Sequence, residues 1–370
     1  MHRITYDGKR LLKKDTVSLD RSVLKKYCPK YRKKYEYDGK QLYDSNRDVP
    51  ENKITSEDKF NGSKKSYNSN KIKVHEIESK PNRFYNFKKH PNKFKKLSEL
   101  LSPDNVENLE EIYFLEEEQF DSVIDNIIST HNRVLKKLIE KNSIEFEKLN
   151  ILEKMFLFSK SFVKTYYKNS GNELGYYRFN EIYIEEREPS NYTKIRTIIH
   201  ELSHFLLSEI LEQILSEVLG TDKTDILEAF IVYTLTDVND FYLIDEYCAC
   251  TVEGRFVSRG HQDYTSFKNS LKKEHIFSND DLSVYGNTFA RYIILIMESF
   301  LSENLINEIR KEGSKENINT NDLNLETDKY LDWDEFKDTI ALMLTPKTDF
   351  EPFEVETILE YSMKIRENNK

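Results

Sequence analysis

Apolar residues recur along the chain with helical spacing in several separate stretches. Val123, Ile124, Ile127, Ile128, Val134, Leu135 and Leu138 form a stripe that predicts a helix over 119–141. A second stripe, through Phe146, Leu149, Leu152, Met155, Phe156, Phe158, Phe162 and Val163, predicts a helix over 144–167. Phe179 to Glu185 alternates partially and is rich in β-formers, which predicts a short strand closed by Pro189-Ser190-Asn191. A long helix should start at Ser190 or Asn191, either a good N-cap, and run to Leu219 with Gly220 as its stop. Further helices are expected to about Leu235, around Tyr242–Phe256, over Asn287–Lys311, and near 333–345 and 352–366. The first 96 residues show no sustained period.

The long helix carries the chemistry. Ile195, Ile198, Ile199, Leu202, Phe205 and Leu206 make its apolar back, and Thr197, His200, Glu201, His204 and Ser208 its polar face. Histidines at i and i+4 lie one turn apart and point the same way, the spacing at which two imidazoles grip one Zn²⁺. Glu201, beside the first histidine, is angled next to such an ion, where a carboxylate can take a proton from water. Such a site has three protein ligands and one open position. The residues leave four candidates for the third: Glu228, Glu246, Glu253 and His261.

The stretch Thr197-Ile198-Ile199-His200-Glu201-Leu202-Ser203-His204-Phe205-Leu206 resembles the extended H-E-x-x-H signature of the zincin metallopeptidases. A metzincin would need Gly at 207 and His at 210, where this chain has Leu207 and Ile210. Glu246-Tyr247-Cys248-Ala249 is similar to the E-x-x-A run of gluzincin-like families, including ImmA/IrrE-type enzymes and the HtpX-like and CAAX-prenyl proteases. That resemblance makes Glu246 the third ligand, Ala249 the small residue at a close helix approach, and a protein or peptide the substrate. Those families follow the Ala with Asp or Asn to support the histidines. Cys250 stands there instead, which leaves that task to a residue such as Asp245. His261 or Tyr264 are candidates for stabilising an oxyanion. The implied fold is α+β and predominantly helical: a zincin-like core with a small edge sheet, helical additions and a basic N-terminal extension.

Composition sharpens the organisation. Residues 1–96 hold 27 Lys and Arg against 12 Asp and Glu, although the 370-residue chain carries a net charge of −9. A basic arm therefore precedes an acidic body. The arm reads as a solvated extension or one that folds back on that body, with nucleic acid or an acidic partner as the sharper alternative. The organisation expected is the arm at 1–96, a helical segment at 97–175, the metallopeptidase core at 176–312 and a helical cap at 313–370. No apolar run approaches 18 residues, the N-terminus lacks a signal-peptide core, and three cysteines make no disulfide framework. A cytoplasmic enzyme is the expectation. Cys248 and Cys250 read as small helix residues in the packing.

Overall fold

The computed structural model describes residues 112, 115–169, 174–187, 190–220, 222–257, 264–315, 327–344 and 352–369. All belong to the compact unit that spans Glu99–Lys370. The basic arm and His261 lie outside the described residues. The described chain is mostly helical with one small sheet.

Helix α1 (Glu117–Lys141) opens with a capping box between Glu116 and Gln119 and buries Phe120, Val123, Ile124, Ile127 and His131 along one stripe. Helix α2 is shorter than the apolar stripe implied, running only Ile151–Phe162 behind an Asn150–Glu153 capping box. Beyond it the chain extends into β1 (Lys164–Lys168). Thr165 and the two tyrosines after it are β-formers, and pairing with a neighbouring strand overrides the helical period. The 97–175 segment is therefore not purely helical, because it supplies this strand.

The sheet order is β1-β3-β2, with β2 at Gly175–Arg178 and β3 at Glu181–Glu185. Strand β3 pairs parallel with β1 and antiparallel with β2. The strand expected at Phe179 to Glu185 is thus the central one, and the open edge beside the long helix belongs to β2. Phe179 and Asn180 make the connecting turn at positive φ, 50° and 59°. A two-residue hairpin turn needs that geometry, and a bulky residue adopts it only under restraint. Here the Phe179 ring packs on Tyr361 at 4.9 Å, and its carbonyl accepts from Asn368 Nδ2 at 2.8 Å.

Helix α3 (Asn191–Leu219) is the axis of the fold. Ser190 Oγ accepts from Thr193 N at 3.0 Å, and Gly220 closes the helix at φ +59°. The helix packs against α1, α2, β2, β3, α4 (Asp225–Asp237) and α5 (Asn239–Phe256), so it is buried on several faces. Val238 alone joins α4 to α5. After the short α6 (Thr265–Ser270) comes α7 (Asn279–Glu298), started by a Ser278–Asp281 capping box eight residues earlier than expected. The expected single helix to Lys311 is in fact two, since Ser302 caps a new helix, α8 (Glu303–Gly313). Helices α9 (Trp333–Leu344) and α10 (Pro352–Asn368) complete the unit, α10 lying along α4. No helix among the described residues is long and apolar enough to cross a membrane.

Helix α5 owes its position to α7. A Cβ at Gly286 would lie 2.8 Å from Tyr247 Cδ1, 2.9 Å from the Ile244 carbonyl oxygen and 3.0 Å from Cys248 N. Only glycine permits that approach. Ala249, Cys248 and Cys250 are fully buried on the same helix.

Candidate metal centre

Three side chains converge between α3 and α5. His200 Nε2 lies 3.8 Å from Glu246 Oε2, and His204 Nε2 lies 4.0 Å from Glu246 Oε1. Among the described residues this trio is the only group whose ligand atoms all lie within 4.8 Å of one another. Atoms about 2.0–2.2 Å from a shared tetrahedral ion stand roughly 3.3–3.5 Å apart, so a small side-chain rotation closes the set. Glu246 is buried, and its Oε2 has no hydrogen-bond partner. A buried carboxylate oxygen in that state calls for a cation.

The far nitrogens of both rings face carboxylates. His204 Nδ1 lies 2.8 Å from Asp245 Oδ2, and His200 Nδ1 lies 3.2 Å from Glu253 Oε2. Glu253 Oε1 in turn stands 3.5 Å from Arg196 Nε. Carboxylates at Nδ1 hold the proton there and leave Nε2 facing Glu246, the arrangement that orients imidazole ligands. Arg196, His200 and His204 repeat every four residues along α3, while Glu246 and Glu253 are seven apart on α5, so each row forms one face.

Glu201 is 8 % exposed, and its Oε2 accepts the Tyr177 backbone N–H at 2.7 Å. That N–H points away from β3, so the carboxylate is pinned to the open edge of β2. Gly175 lets the strand lie this close to α3, because a Cβ there would collide with Thr197 Cγ2 and stand 2.8 Å from the Tyr183 carbonyl oxygen. Burial raises the Glu201 carboxyl above its ordinary range. Burial also works against charge on both imidazoles, yet the surrounding carboxylates outweigh it. Glu253 lifts His200, and Asp245 with Glu246 pushes His204 up to about 10. The site is thus short of positive charge, which protons on the rings or a bound cation can supply.

The trio opens onto a cleft of about 330 Å³ walled by β2, by Ser208 of α3, and by Val232, Leu235 and Thr236 of α4. Tyr242, one turn before Glu246, lines the cleft; its hydroxyl bonds to Glu246 and Ser270, and burial raises its pKa. Tyr242, Arg196 and Glu253 join the site at i, i+4 and i, i+7 spacings from the ligand candidates, the one signal of them that the sequence carries. Tyr264 is buried and does not line the cleft. Glu228 is on α4 but borders a different cavity. Comparison with protein-family models, with curated proteins and with solved structures finds no match.

Proposed function

We propose that the chain is a zinc-dependent metallopeptidase of the gluzincin-like zincin kind, with His200, His204 and Glu246 as metal ligands and Glu201 as general base. The observation that carries this reading is the arrival of Glu246, from a separate helix, opposite the paired Nε2 atoms. The donor set fits Zn²⁺: two imidazoles and a carboxylate, each imidazole backed by an acid. When bound, the ion acts as a Lewis acid that polarises a peptide carbonyl and acidifies water.

The chain's own groups supply the remaining steps. Glu201, tethered by the Tyr177 N–H, holds a carboxylate beside the open position; it accepts the proton of the attacking water and returns it to the departing amine. By the alternation of an antiparallel ladder, the backbone groups of Gly175 and the Tyr177 carbonyl turn from β3 toward the cleft, where an extended peptide can add alongside β2 while the Tyr177 N–H stays on Glu201. Tyr242 steadies Glu246 through its hydroxyl.

The test is turnover of an unstructured protein such as casein. Glu201→Gln is expected to keep stoichiometric zinc and to lose activity by about 10²-fold or more. A chelator should abolish wild-type activity. Full proteolysis by Glu201→Gln would remove the general-base role.

A further inference from the structure

A second cavity, of about 420 Å³, lies on the neighbouring stripe of α3, one position round the helix from His204 and Ser208. Phe205, Glu209 and Glu212 face it from α3, Asp225 and Glu228 from α4, and His131 from α1. We propose that this cavity binds an alkylammonium group, carried by a free diamine or by a lysine side chain, with Glu228 as its counter-ion.

The chemistry of the walls selects that ligand. Four carboxylates border the space: Lys223 lies 2.7 Å from Glu209 and 3.3 Å from Glu212, and Asp225 accepts from Ser362 Oγ at 3.4 Å. Lys164, the other lysine of the wall, is held by Glu181. His131 donates Nδ1–H to the Ser161 carbonyl at 2.9 Å and is kept neutral by burial. Glu228 is only 9 % exposed, receives a side-chain hydrogen bond from Asn180, and has an Oε1 with no hydrogen-bond partner. An oxygen in that position lacks a donor.

An anion is repelled by such a wall. A small metal ion is disfavoured too, because these carboxylates do not bring three ligand atoms within 4.8 Å of one another. An ammonium on a carbon stem suits both ends of the cavity. Its charge meets Glu228, and its stem lies on Phe162, Val163 and Phe205. The volume equals about fourteen water-sized units at about 30 Å³ each, enough for a four- or five-carbon diamine with some water. Burial and mutual repulsion push the Glu212 and Glu228 carboxyls up to about 7 and about 8, so the cluster now holds protons where a fixed cation would replace them. The inference is independent of the metal-site reading.

The test is isothermal titration of the full chain at pH 7.5 and 150 mM NaCl with 1,5-diaminopentane and, separately, with Nα-acetyl-lysine methylamide. Saturable binding of either, weakened at least tenfold in Glu228→Gln, supports the cavity; which probe saturates identifies the source. Binding should also release a fraction of a proton, seen as heats that differ between phosphate and Tris. Should Glu228→Gln not fold, the wild-type proton release and Glu212→Gln take its place. Failure of both probes to saturate, undiminished binding by these variants, binding with no proton released, or calcium chloride competing at equal concentration would each overturn the proposal.

Discussion

Glu246→Gln separates a metal ligand from a carboxylate that only accompanies two histidines. The imidazole nitrogens stand 3.8 and 4.0 Å from its oxygens, beyond hydrogen-bond distance, and Oε2 has no other partner. Glutamine keeps the shape and retains an oxygen for the Tyr242 hydroxyl, so the metal-free variant should match wild-type stability within about 1 kcal/mol. With zinc the two should part. An ion that binds only the folded chain at a hundredfold excess over its Kd stabilises by about 2.7 kcal/mol. At roughly 2–4 °C per kcal/mol for a unit of this size, the wild-type midpoint should rise by about 5–11 °C. Outer groups behind a ligand are worth about 10–100-fold in affinity, so losing the ligand itself should cost about 100-fold or more. At the same free zinc the variant then gains only about 0.4 kcal/mol, or about 1–2 °C. Scanning calorimetry of the full chain, with EDTA and with zinc, reads both numbers. A variant that keeps the wild-type gain, or a wild type with no gain, would refute the reasoning.

Gly286→Ala should destabilise the chain by about 1–3 kcal/mol, because two of the three contacts its Cβ meets are backbone atoms of α5 that cannot yield locally. Zinc affinity should fall with it, since α5 carries Glu246; an unchanged denaturation midpoint would count against the close helix contact. Asp245→Asn should weaken zinc binding about 10–100-fold while the fold is kept, measured by competition with a chromogenic chelator. Unaltered affinity would mean that His204 is oriented by something else. The Glu212 and Glu228 pair predicts a pH effect of definite sign. Their native carboxyls titrate at about 7 and about 8, above the ordinary 4.5, so the folded state retains protons that the unfolded chain has released. Stability from this source is complete near pH 4.5 and is lost as the pH rises to 8, by at most about 1.4 kcal/mol per pH unit for each group. Urea midpoints at pH 6 and 8.5 should fall more for wild type than for Glu228→Gln, and parallel falls would contradict the assignment.

The local parts of the site were legible in the chain itself. A helix with an apolar back and His200, Glu201 and His204 on its polar face follows from periodicity, and its ends follow from Ser190 and Gly220. These features depend on neighbours within a turn or two, so sequence spacing encodes them. Strand β2 was not legible, because its turn uses Phe179-Asn180 and is held by the distant Tyr361 and Asn368. Neither was the length of α2, where pairing of β1 with β3 overruled a continuous stripe. The choice among acids belongs to the tertiary structure as well. Glu246 and Glu253 share one face of α5, and only the rotation and height of that helix send one toward the Nε2 side and the other toward Nδ1 of His200. Those two quantities are set by contacts between residues far apart in the chain, above all the missing side chain at Gly286 that lets α7 seat α5 against the site helix.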